Sequence, residues 1–132
     1  MMTQTMPVED IQPDPGNARL HSERNLEAIK ASLARFGQQK PIVVDESGVV
    51  RAGNGTLLAA KALGWTEIEV VVSSLSDAEM KAFAIADNRT AELASWNEQV
   101  LWESITSLEG VESGDLAFTA AEVEAINPNY EG

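Results

Sequence analysis

Three short segments hold the residue types that bind phosphate or metal. The first is Gly53-Asn54-Gly55-Thr56, which follows a β-type run and precedes a helical one. Two glycines let the backbone come close to a ligand and turn N–H groups towards it. A helix starting there adds a partial positive charge and unpaired donors, a combination suited to phosphate. The Thr56 hydroxyl could serve a phosphate or a divalent cation. The alternative is a plain strand-to-helix turn in which Asn54 or Thr56 only caps the helix, because short glycine motifs often arise without a ligand.

The second segment is Asp87-Asn88-Arg89-Thr90. Asp87 and Asn88 offer the hard oxygen donors that Mg2+ prefers, and Arg89 could clamp a phosphate through two N–H bonds. The same residues also fit an ordinary helix C-terminus. The third segment is Asn17-Ala18-Arg19, just past a Pro/Gly turn, where Arg19 is either an anion contact or a surface charge. His21, the only histidine, has no catalytic partner evident in the sequence. Of the nine basic residues, Arg24, Lys30, Arg35, Lys61 and Lys81 fall in predicted helices, while Arg19, Lys40, Arg51 and Arg89 fall at element ends near these segments. Basic groups held there, in an acidic chain, could focus one anion site.

The elements that must position these residues are legible from period and punctuation. Residues 5–11 read as a first strand, and Pro13-Asp14-Pro15-Gly16-Asn17 as a turn. Ser22 is a suitable N-cap for a helix over 23–36, whose Leu26, Ile29, Leu33 and Phe36 share one face, with Gly37 as its stop. Residues 41–44 and 49–52 read as a hairpin about Asp45-Glu46-Ser47-Gly48. A short helix over 56–63 and a strand over 67–73 follow. Ser76 with Glu79, and Thr119 with Glu122, are capping boxes. The first opens a helix to about residue 87, and the second a short helix ending before Pro128. Between them, residues 98–108 read as a helix and 110–114 as a loop. The sum is an α/β (α+β) fold with a small mixed sheet and flanking helices, comprising a core over 1–97 and an acidic helical tail over 98–132.

Composition narrows the function classes. The chain has 132 residues, 44% apolar and 5% aromatic, enough for one aliphatic core. With no cysteine there is no disulfide, thiol nucleophile or Cys-based zinc site. No apolar run is long enough to span a bilayer, and no signal peptide opens the chain, so a cytoplasmic protein without a membrane partner is expected. Net charge is −12. All nine Lys and Arg lie within residues 1–89 beside twelve acids, whereas residues 90–132 hold nine acids and no base. Duplex DNA would be repelled by that second stretch, although acids also simply keep a surface solvated.

Taken in order, these segments resemble the ParB/sulfiredoxin superfamily, in particular its N-terminal ParB-like nuclease domain. The family's Asn-Pro-Arg turn is seen as Asn17-Ala18-Arg19. Its helix-Gly-Gln-Pro-Ile passage is seen as Phe36-Gly37-Gln38-Gln39-Lys40-Pro41-Ile42-Val43-Val44, and its glycine-led helix start as Ala52-Gly53-Asn54-Gly55-Thr56. Its acid-Asn segment is seen as Asp87-Asn88-Arg89-Thr90-Ala91-Glu92-Leu93. The match covers about residues 5–97; Leu93 to Asn97 and Leu116 to Glu122 are similar to segments of ParB-like domains in phage and plasmid proteins, some fused to DNA methyltransferases. A stand-alone phage or mobile-element protein is therefore expected.

The resemblance implies a nucleotide site for CTP or ATP with Mg2+. Gly53, Asn54, Gly55 and Thr56 would face the phosphates, Arg19 and Arg89 would add positive charge, and Asp87 and Asn88 would lie at the metal. It also implies weak nucleotide hydrolysis or nuclease activity, a role in DNA metabolism with DNA reached directly or through a partner, and a homodimer. The family's arginines after the glycine are absent; Gly55, Thr56 and Leu58 stand in their places. Each lost charge-assisted contact is worth roughly 1.5–3 kcal/mol. Sulfiredoxin chemistry is excluded because it needs a cysteine. The competing expectation is a non-catalytic interaction module, acidic and able to imitate DNA.

Overall fold

The computed structural model describes residues 2–130. Four strands form one mixed sheet in the order β1-β4-β2-β3. β1 (Thr3–Pro7) runs antiparallel to β4 (Glu67–Ser73), pairing Thr5 with Glu69. β4 runs parallel to β2 (Ile42–Asp45), pairing Ile42 with Val70. β2 returns antiparallel into β3 (Val50–Ala52). Helices α1 (Glu23–Phe36) and α2 (Asn54–Ala62) pack together over the sheet. Then come α3 (Asp77–Leu93), α4 (Glu98–Thr106) and α5 (Ala120–Ala125).

The core is aliphatic, as the composition requires. Ile11, Val44, Val50, Leu57 and Val70 are fully buried, and so is Met80 of α3. Each such side chain contributes about 1.5–3 kcal/mol of transfer free energy. Beyond residue 97 the chain folds back on α1. Arg24 meets Glu122, Arg35 lies 3.6 Å from Asp115, and the rings of Trp96 and Phe118 stand 6.1 Å apart. None of the residues in α4 or α5 is buried.

Several boundaries differ from the sequence expectation: α4 ends at Thr106 rather than residue 108, a 3-10 turn over Ser113–Leu116 overlaps the expected 110–114 loop, and three further differences have a local cause. The first strand ends at Pro7, and a single 3-10 turn over Val8–Asp10 carries Val8 and Ile11 into the core. α2 begins two residues before Thr56, because Gly53 turns the chain at φ 107° and ψ 23°. The third concerns α3, which does not stop at Asp87 but continues to Leu93. Asn88 and Thr90 are tolerated inside it because each side chain bonds back to a carbonyl four residues earlier, Ala84 at 3.0 Å and Ala86 at 2.8 Å. No glycine follows to end the helix. Both capping boxes form as expected.

Candidate functional site

The start of α2 opens into a cleft of about 200 Å³, walled by the 17–25 segment, the end of β3 and Asn88 of α3. Gly53 is required where the strand becomes a helix. A Cβ there would lie 2.8 Å from the Cβ of Ile42 and closer still to its Cγ2, and the φ of 107° lies in the region that side chains avoid. Gly55 is covered by the His21 ring, whose Cε1 would lie 2.6 Å from an added Cβ. His21 Nδ1 is 2.6 Å from Asn25 Oδ1. An amide oxygen only accepts, so Nδ1 is the donor in this pair.

The helix start has donors to spare. Its first internal bond is Leu57 N–H to the Gly53 carbonyl, 2.9 Å, and no side chain caps it. The N–H groups of Asn54, Gly55 and Thr56 therefore have no partner among the described residues, the normal condition of a first helical turn. All three residues line the cleft. With the helix dipole behind them, they make an anion site.

The residues named from the sequence separate into distinct roles. Gly53, Gly55 and Thr56 line the cleft, and so do Arg19 and Asn88. Asn54 lines it too, but its side chain is consumed by the scaffold. Asn54 Oδ1 accepts from Asp14 N–H at 2.9 Å and Nδ2 donates to the Val50 carbonyl at 3.3 Å. Only its backbone is left for a ligand. Arg89 lies in a neighbouring groove with Glu92, and Asp87 lines neither space. Adjacent residues on a helix point about 100° apart, so an extended α3 directs Asp87 away from Asn88. Among the described residues no carboxylate lines the cleft, and no cluster of three His, Asp or Glu could hold a metal. These donors do not fit a protein-held Mg2+.

Arg51 is the residue whose importance the sequence did not reveal. It is 9% exposed and bonds three carboxylates: Asp77 at 2.7 Å, Asp45 at 3.0 Å and Asp14 at 3.3 Å. One cation thus ties the 12–22 loop, the β2–β3 hairpin and the N-terminus of α3 to the floor of the site. Burial pushes Asp45 up, but N–H bonds from Val49 and Ser47 and the Arg51 guanidinium outweigh it and hold its carboxyl below the ordinary value of 3.8. Asp77 is held low by Lys81 and then Arg51. Burial opposes the charge of Arg51, yet its three carboxylates raise its pKa further. Asn17 is the other late entrant. Its side chain grips both the N–H and the carbonyl of Arg19, each at 3.2 Å, and so fixes where that arginine leaves the loop.

Residues 2–89 match the ParB N-terminal domain. The chain belongs to that family. Among its relatives, the ParB-like nuclease domain-containing protein YnaK of Escherichia coli is 35% identical over 72 residues, covering 54% of this ParB-like chain and 83% of YnaK. The nucleoid occlusion protein of Geobacillus kaustophilus is 29% identical over 118 residues, or 85% of this chain. The ParB-like chain spans only 42% of that protein's length. The crystal structure of the C-terminally truncated chromosome-partitioning protein ParB from Caulobacter crescentus, complexed with CTP-gamma-S, superposes with a TM-score of 0.80. It covers 96% of this chain and 77% of that one at 21% identity. The expected fold is thus the observed one, and the ParB-like domain is related to chromosome-partitioning proteins. No helix among the described residues is long and apolar enough to cross a membrane.

Proposed function

We propose that this ParB-like domain binds a nucleotide through its phosphates at the N-terminus of α2. The observation that carries the reading is the row of three N–H groups without a partner among the described residues, at Asn54, Gly55 and Thr56, all of which line a polar cleft. CTP is the first ligand to try, because the Caulobacter relative is seen with CTP-gamma-S. The cleft offers no carboxylate, so a Mg2+ accompanying the nucleotide would be held by the phosphates themselves. Thr56, whose hydroxyl has no partner among the described residues, would add a hydrogen bond. Calorimetry with CTP, ATP and GTP, each with Mg2+, tests this. Micromolar to millimolar binding that Thr56→Val weakens by about five- to tenfold supports it. No heat with any nucleotide at millimolar concentration overturns it.

One observation favours a second reading, an interaction module without nucleotide turnover. The arginines around the cleft are already engaged by the chain's own acids: Arg51 by Asp14, Asp45 and Asp77, and Arg19 and Arg89 by Glu92. On this reading the acidic segment beyond residue 90 docks on a basic partner. Release of phosphate from CTP, or nicking of plasmid DNA with Mg2+, by the wild-type protein but not by Thr56→Val would rule it out.

A further inference from the structure

Two arginines beside the cleft converge on one carboxylate. Arg19 Nη1 donates to Glu92 Oε1, and Arg89 Nη1 donates to Glu92 Oε2 at 3.3 Å. The groove that holds this trio adjoins the cleft, since Arg19 and Asn88 line both. We infer that Glu92 is an internal competitor of the ligand's phosphates. It holds Arg19 and Arg89 until a more highly charged anion takes them, and so determines how strongly the site favours longer phosphate chains. This rests on the phosphate-binding reading given above.

Three features support the exchange. The side chains of Arg19 and Glu92 are 43% and 44% exposed, and that of Arg89 is 63% exposed. Exposed pairs of this kind are worth a factor of only about 1.5–5 in an equilibrium constant, so a multiply charged anion can displace the carboxylate. The backbone of Arg19 is clasped by Asn17, which leaves the side chain to swing while its root stays at the cleft wall. Glu92 sits on α3, a continuous helix anchored in its first turn by the Arg51–Asp77 bond and by buried Met80. Arg51 cannot substitute as the mobile cation, since three carboxylates fix it. A single phosphate at the α2 N-terminus is served by N–H groups; a chain of phosphates has charge left over to recruit Arg19.

The test is a titration of wild type and Glu92→Gln with inorganic phosphate and pyrophosphate. Glu92→Gln should bind pyrophosphate about two- to fivefold more tightly, with a smaller change for phosphate. The gain should vanish when Arg19→Ala and Arg89→Ala are added, which separates recruitment of the arginines from the mere loss of a nearby negative charge. A gain that persists in the triple variant, or equal or weaker pyrophosphate binding by Glu92→Gln, overturns the role of Glu92 and leaves the phosphate site standing. Absence of binding to every variant overturns the phosphate site, and the role of Glu92 with it.

Discussion

The imidazole of His21 lies directly over Gly55, so close that a Cβ on the glycine would sit 2.6 Å from the ring's Cε1 and 2.9 Å from Nδ1. The two residues are 34 positions apart, and their contact seats the 17–22 loop on the first turn of α2. Gly55→Ala should therefore displace the ring, although alanine by itself favours a helix by about 1 kcal/mol. His21→Ala should relieve the clash. A double-mutant cycle in urea should give a coupling of about 0.5–3 kcal/mol; additive effects would show that the ring moves aside freely.

Gly53 faces a different obstacle. Both its φ of 107° and the Ile42 side chain, whose Cβ lies 2.8 Å from where a methyl would be added, oppose any other residue. Gly53→Ala should lower stability by at least ~1–3 kcal/mol, the usual cost of a strained backbone. Denaturant midpoints at unchanged slope would measure it. A midpoint equal to wild type would mean that the strand-to-helix turn relaxes.

Arg51→Met should cost about 3–5 kcal/mol, because Asp14 and Asp45 would remain buried without a counter-charge. Arg51→Lys should recover only part of the loss, since one ammonium lacks the forked geometry that reaches three carboxylates. Full recovery by lysine would reduce the network to simple charge neutralisation.

The same network makes stability depend on acid. The Asp45 carboxyl is held below its ordinary value of 3.8 in the folded state. Its contribution is complete above that value and is lost as pH falls through the depressed one. Asp45→Asn should be less stable than wild type at pH 7, and the gap should narrow as pH drops below the ordinary value. Thermal midpoints across that range would show it; a gap independent of pH would assign the loss to packing alone.

Leu57 is fully buried beneath the site. Leu57→Ala should cost about 2–5 kcal/mol through lost transfer energy and the cavity left behind. Nucleotide affinity measured well below the new midpoint should change little, because the leucine faces the core rather than the cleft.

Much of the scaffold was legible because its signals are local. Ser22, Ser76 and Thr119 bond N–H groups three residues on, and a sequence shows that spacing directly. Alternation and helical period placed β4 and α1 at the observed bounds. Asn88 misled in the opposite way: an asparagine that suits a helix end was kept inside α3 by its bond to the Ala84 carbonyl.

What the sequence determined by itself was the family, the order of elements and the glycine-led turn at which a phosphate could sit. Each rests on neighbours within a few residues, or on motifs in series. What only the tertiary structure decided was the fate of the charges. Arg51 is closed off by acids from three elements, and Arg19 meets Glu92 across 73 positions of chain. Asn54 turns its amide into the scaffold, and Asp87 rotates out of reach of the cleft. Such pairings depend on where packing brings distant segments together. Residue type supplies the charge, and the fold alone determines which opposite charge lies beside it.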